Sequence, residues 1–244
     1  MSDKIKGTND GFKKEKELVI SLNKKYFKDL NKNHKEIIKR SFSEFEENEQ
    51  IICSSTGSAG TNKPDFVIKI GNEKYSYSFK TGSGNAIHQE SLSTFLEFCK
   101  KLEGCTQSLI DCIKFFIWTD GTTDGTGKIK DRMNKIVWKK KYPKKLSEIK
   151  KFFLRNKIQI IEKVLFEGRK NNITDYFVYK KKDESFIILK SNDVIKKFGD
   201  WVNGIYGLGP ITFQTWNPAL QGQTKKPRDV VQFKWGKIEK DLDK

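Results

Sequence analysis

Histidine and cysteine are scarce in this 244-residue chain, at two and four copies. Cys53, Cys99, Cys105 and Cys112 form no C-x-x-C pair, which excludes the common structural zinc spacings. Reduced, buried thiols in a cytoplasmic protein are the expectation. Long apolar runs are missing too: no stretch approaches 18 uninterrupted apolar residues, and the Lys-rich start has no apolar core of the signal-peptide type. Neither a membrane span nor a signal peptide is therefore expected. Acidic residues are in deficit, 31 against 48 Lys and Arg, for a formal net charge of +17. Such an excess attracts polyanions and makes their binding salt-sensitive, which suits DNA or RNA better than a neutral metabolite. Lys, Asn, Ile and Phe are all abundant, so part of the excess reflects a general lysine bias, and charge alone names no function.

What is present is concentrated between Lys63 and Glu90, KPDFVIKIGNEKYSYSFKTGSGNAIHQE. Gly71-Asn72 between two alternating apolar runs reads as a two-residue hairpin turn. Pairing outward from it sets Ile70 opposite Glu73, Ile68 opposite Tyr75, Phe66 opposite Tyr77 and Asp65 opposite Ser78. Side chains alternate along a strand, so Phe66, Ile68, Ile70, Tyr75, Tyr77 and Phe79 share a core face. Asp65, Ser78 and Lys80 share the other, with Lys80 diagonal to Asp65 at about 7 Å between Cβ atoms. Beyond the Thr81–Asn85 turn, Ile87, Leu92, Phe95, Leu96, Cys99 and Leu102 have helical spacing up to Gly104. This predicts a helix with Glu90 in its first turns. Taken singly, Asp65 is also a plausible strand-edge acid, Lys80 one lysine among many, and Glu90 a first-turn acid facing the helix dipole.

At these residues the chain resembles the PD-(D/E)xK nuclease superfamily and, within it, type II restriction endonucleases. Pro64-Asp65 matches the "PD" and Ser78-Phe79-Lys80 the "(D/E)xK" strand, with Ser78 where the usual pattern has an acid. Glu90 resembles the displaced glutamate of the S-x-K variant. The resemblance implies an α/β restriction-endonuclease-like core, a central mixed β-sheet flanked by helices, with an α+β elaboration toward the carboxy end. It also implies Mg²⁺ bound by Asp65, Glu90 and the Phe79 carbonyl, with Lys80 acting on the attacking water. Ser78 and Gln89 would support that site from behind. Glu46 is a further candidate for the second acid.

Around this segment, residues 1–14 read as a polar tail, 15–120 as the nuclease core and 121–244 as a DNA-recognition elaboration packed on it, or all as one continuous domain. Stripes at Leu18, Val19, Leu22, Tyr26 and Leu30, then at Ile37, Ile38, Phe42 and Phe45, predict helices covering the sheet. The apolar run Ile113–Trp118 predicts a buried central strand. Asp120 to Asp131 has calcium-loop spacing but follows an apparent strand rather than a helix, and a loop facing DNA fits better. The basic segment Lys128–Lys151, with Arg132, Trp138 and Tyr142, is suited to tracking phosphates. Glu148–Phe166 is helical in spacing. Tyr176–Tyr179 and Phe186–Leu189 flank a charged turn and predict a hairpin.

Ser83, Asn85 and His88 are placed to hold backbone near a scissile phosphate. Gln214, Asn217 and Arg228 carry side chains that read base edges. The resulting expectation is a Mg²⁺-dependent, sequence-specific endonuclease acting on double-stranded DNA, with a homodimer left open. A repair or recombination nuclease and a non-catalytic nucleic-acid-binding protein remain as alternatives.

Overall fold

The structure, a computed structural model, describes residues 6–56, 64–82, 86–166, 173–201, 203–215 and 229–242. In chain order the elements are α1 (Lys6–Leu22), β1 (Lys25–Tyr26), α2 (Lys32–Ser41), β2 (Gln50–Ser55), β3 (Phe66–Ile70), β4 (Glu73–Thr81), β5 (Ala86–Ser91) and α3 (Leu92–Lys100). There follow α4 (Gln107–Trp118), α5 (Lys135–Lys141), α6 (Pro143–Arg155), α7 (Lys157–Leu165), β6 (Tyr176–Lys180), β7 (Phe186–Lys190), α8 (Ser191–Asp200), β8 (Ile211–Gln214), β9 (Val230–Trp235) and α9 (Ile238–Leu242). The architecture is α/β, with a mixed sheet flanked by helices. No described helix is long and apolar enough to cross a membrane.

The chain folds as two compact units, one of residues 1–85, 161–197 and 237–244, the other of 86–160 and 198–236. The expected boundary at residue 120 is not followed, because the chain passes between the units several times. Helix α1 begins at Lys6, inside the segment expected to be a polar tail.

The first unit carries a six-stranded sheet in the order β1-β2-β3-β4-β6-β7, antiparallel throughout except for the parallel pair β4 and β6. The β3-β4 hairpin has the predicted register, Ile70 with Glu73, Ile68 with Tyr75 and Phe66 with Tyr77. Gly71 turns it at φ +54°, a left-handed backbone that favours glycine. The predicted apolar face is the core: Phe66, Ile68, Ile70, Tyr77 and Phe79 are buried with Leu18 and Leu22 of α1 and Ile37 and Ile38 of α2. Tyr75 packs at its margin. Phe66 and Tyr77 stack at 4.8 Å. On the opposite face Ser78 is fully buried and donates to the Leu165 carbonyl at 3.0 Å, tying β4 to the end of α7. The β6-β7 hairpin also has the predicted place, pairing Lys180 with Phe186 and Tyr176 with Lys190.

The second unit holds a three-stranded antiparallel sheet, β5-β9-β8, backed by helices. Two expectations fail here. The predicted helix over Ile87–Leu102 starts only at Leu92; residues 86–91 form β5, paired with β9. Ser91 marks the boundary by capping α3, its side chain accepting the Thr94 N–H. The predicted strand Ile113–Trp118 is the second half of α4, capped by Thr106 and closed by Thr119 at φ +54°. A short apolar run has no period that separates a buried strand from a buried helix. In α4, Ile113, Phe116, Ile117 and Trp118 are all buried. The expected helical stretch over Glu148–Phe166 is split at Asn156 between α6 and α7.

Candidate functional site

Asp65 lies immediately before β3, and its backbone N–H donates to the Tyr77 carbonyl at 2.8 Å, extending the hairpin ladder by one residue. Its side chain turns across that ladder: Oδ2 accepts the Phe79 N–H at 2.5 Å and faces Lys80 Nζ at 3.4 Å. Lys80 Nζ also donates to the Phe79 carbonyl at 2.8 Å. The two side chains are only 16% and 18% exposed, so this pair is far less screened than a surface salt bridge. The predicted juxtaposition of Asp65, Lys80 and the Phe79 carbonyl is therefore present.

A third charged group, absent from the sequence expectation, lies near this pair. Glu15 of α1 accepts a hydrogen bond from Ser55 Oγ at 3.1 Å, at the end of β2. Its carboxyl is pushed up to about 7, first by burial and then by the negative charge of Asp65, against the lowering effects of Ser55, Lys80 and Lys16. A carboxyl shifted by burial plus a like charge is a recurring sign of a functional site. The sequence signal was available: Glu15 stands three and seven residues before Leu18 and Leu22, which puts an acid on the buried face of α1.

The other predicted residues are distributed differently. Ser78 supports the strand rather than the charged cluster, since its hydroxyl is spent on Leu165. Glu90 sits on β5 in the second unit, where its Oε1 lies 3.0 Å from His88 Nε2, and not in the first turn of a helix. Gln89, also on β5, is exposed and pairs with Gln232 of β9. Glu46 is exposed, its backbone N–H donating to Glu49 Oε2 at 3.3 Å. Arg132, expected on phosphates, is instead buried: its side chain is 2% exposed and faces Asp120 at 3.8 Å, whose own side chain is fully covered. Asp120 Oδ1 is taken up by the Thr122 N–H and hydroxyl at 3.0 and 2.7 Å, so the calcium-like spacing serves a loop closed on itself. Gln214 ends β8 and accepts from Lys135 Nζ at 2.9 Å. Ser83, Asn85, Asn217 and Arg228 lie outside the described residues.

Among the described residues no group of three or more His, Cys, Asp or Glu gathers as a metal cluster. The oxygen groups at this site are the Asp65 carboxylate and the Phe79 carbonyl, both in reach of Lys80, with the Glu15 carboxyl near enough to feel the charge of Asp65. One or two carboxylates completed by water and substrate oxygens is the usual environment of Mg²⁺, so these residues fit that ion. A cation there would also offset the burial that chiefly raises the Glu15 carboxyl and the Asp65 charge that adds to it. The cysteines are free thiols, and burial pushes Cys53 up to about 12, as expected of an unreactive core thiol. No known protein-family model matches the chain, and no curated protein matches it significantly.

Proposed function

We propose that the protein is a Mg²⁺-dependent endonuclease that hydrolyses phosphodiester bonds of double-stranded DNA in the manner of a type II restriction enzyme. The observation that carries this reading is the cluster of Asp65, Lys80 and Glu15, in which a lysine ammonium lies 3.4 Å from one carboxylate while a second carboxyl is pushed up to about 7. Bound Mg²⁺ would supply Lewis-acid polarisation of the scissile phosphate and charge relief for the leaving oxygen. Asp65 and Glu15 would hold it, with the Phe79 carbonyl beside them. Glu90, whose carboxylate is engaged by His88, is left out of this set.

Lys80 has the protein's part of the proton and charge work. Asp65 and the Phe79 carbonyl hold its ammonium in place, where it orients a water for in-line attack and offsets negative charge on the phosphoryl oxygens. The restriction-enzyme resemblance implies 5′-phosphate and 3′-hydroxyl ends. Cutting both antiparallel strands calls for two such sites, and a homodimer with two-fold symmetry provides them. The net charge of +17 supports a polyanionic substrate. Reduced thiols and a DNA substrate support a cytoplasmic location.

The test is digestion of a phage genome with Mg²⁺, followed by sequencing of the fragment ends. Defined, recurring ends are expected. Ends clustered at branched or damaged DNA would move the assignment to a repair nuclease, and intact DNA would leave only a binding protein.

A further inference from the structure

The three-stranded sheet of the second unit has two unlike faces. One is sealed by aromatic packing: Phe213 lies 5.0 Å from Phe233, 5.1 Å from Phe116 and 5.3 Å from Phe153. The alternate residues of β8 and β9 are half-exposed and polar, namely Thr212, Gln214, Gln232 and Lys234. Register adds to this. Gln89 of β5 pairs with Gln232 of β9, which pairs with Gln214 of β8. Directly paired residues project to the same side, so three glutamines stand in one row across the sheet, spanning about 10 Å at the usual strand spacing. Gln214 is fixed within it by Lys135 at 2.9 Å and by the Thr212 hydroxyl at 2.6 Å.

The rim of this face is basic. Lys234 occupies the next position on the row side of β9, paired with Thr212 and Ala86. Lys135 is held below the usual lysine range by burial and then by the charges of Lys139 and Lys234, so both of those ammonium groups lie near it. Like charges gathered beside neutral amides complement a polymer with anionic rails and hydrogen-bonding edges between them.

We propose that this face reads sequence in duplex DNA, with Gln232 and Gln89 on adenine edges in the major groove and Lys135, Lys139 and Lys234 on the flanking phosphates. It deepens the nuclease reading and rests on it for the class of substrate. Glutamine pairs bidentately with adenine N6 and N7, and the B-DNA major groove, about 12 Å wide, accommodates strands and the roughly 10 Å glutamine row. The A-form major groove of RNA is too narrow for such an approach, so the face commits to DNA.

The test needs no cleavage. The full chain in EDTA is used to select sites from a random duplex library, which are then sequenced. Adenine is expected at fixed positions of the enriched sites. Gln232→Ala and Gln89→Ala should each relax one position and lower affinity for the selected site about 5- to 150-fold, leaving non-specific binding unchanged. Gln232→Arg should move its position from adenine to guanine, a change of preference that a merely structural glutamine would not cause. Lys234→Ala should weaken binding to every sequence and reduce the salt slope by about 1. Absence of any enriched sequence, unchanged selection by the glutamine variants, or equal binding to duplex RNA would overturn the proposal. Mg²⁺-dependent cutting with no enriched sequence would sink the reading face alone. Enrichment without cutting would sink the nuclease alone.

Discussion

Replacing Glu15 by glutamine should separate stability from activity. The isosteric amide keeps an oxygen for the Ser55 hydroxyl, which donates to Glu15 Oε1 at 3.1 Å, and removes only the charge. Because the folded carboxyl is raised from 4.5 to about 7, its protonated form is the one that favours folding. Its contribution is therefore fully present below about pH 4.5 and is lost as pH rises through about 7. A shift of that size corresponds to at most about 3 kcal/mol. Glu15 is partly exposed, so solvent screening brings a working figure to about 1 kcal/mol. In a chain of this length that is a rise in Tm of about 2–4 °C for Glu15→Gln at pH 8. Thermal melts in EDTA should show this gain at pH 8 and none at pH 4.5, while Mg²⁺-dependent cutting is lost. A variant that is less stable than the parent at pH 8, or that cuts as well, would refute the placement of Glu15 beside Asp65.

Lys80→Ala should lower single-turnover cleavage by about 10²- to 10³-fold, the usual cost of one group that stabilises transition-state charge, with near-native far-UV circular dichroism. Glu90→Gln should stay within about tenfold of the parent, because proximity and electrostatic gain are assigned to Glu15. Ser78→Ala should cost about 1 kcal/mol through the lost bond to Leu165 without changing where DNA is cut. Ser78→Asp, which places an acid at this position, should destabilise by several kcal/mol in urea melts, since the position is fully buried. Arg132→Ala should lower stability by about 3–5 kcal/mol by stranding Asp120 in a covered site, an effect read by chemical denaturation.

The hairpin that holds Asp65 and Lys80 was legible because everything that fixes it is local: the Gly71-Asn72 turn, the period of two, and one apolar face. A one-residue slip would expose that whole face, so pattern and register are the same statement. Strand β5 is not legible because its partner β9 lies far along the chain, Glu90 pairing with Val231, and tertiary pairing overrides a helical-looking apolar spacing. The Ser91 cap was the one local sign of where the helix begins. Ile113–Trp118 reads as a strand because a helix buried on nearly every side has no polar stripe to betray its period. Glu15 is less legible because the apolar residues alone define the stripe of the first helix. An acid in phase with them was the informative exception.

Single-turnover cleavage of one duplex substrate by the parent and by Asp65→Asn, each with Mg²⁺ and with EDTA, tests the central claim most directly. Cutting by the parent only with Mg²⁺, and loss of that cutting in Asp65→Asn with the fold intact, is the predicted result. Equal cutting by both proteins, or cutting that persists in EDTA, would contradict a metal-dependent nuclease built on Asp65, Lys80 and Glu15.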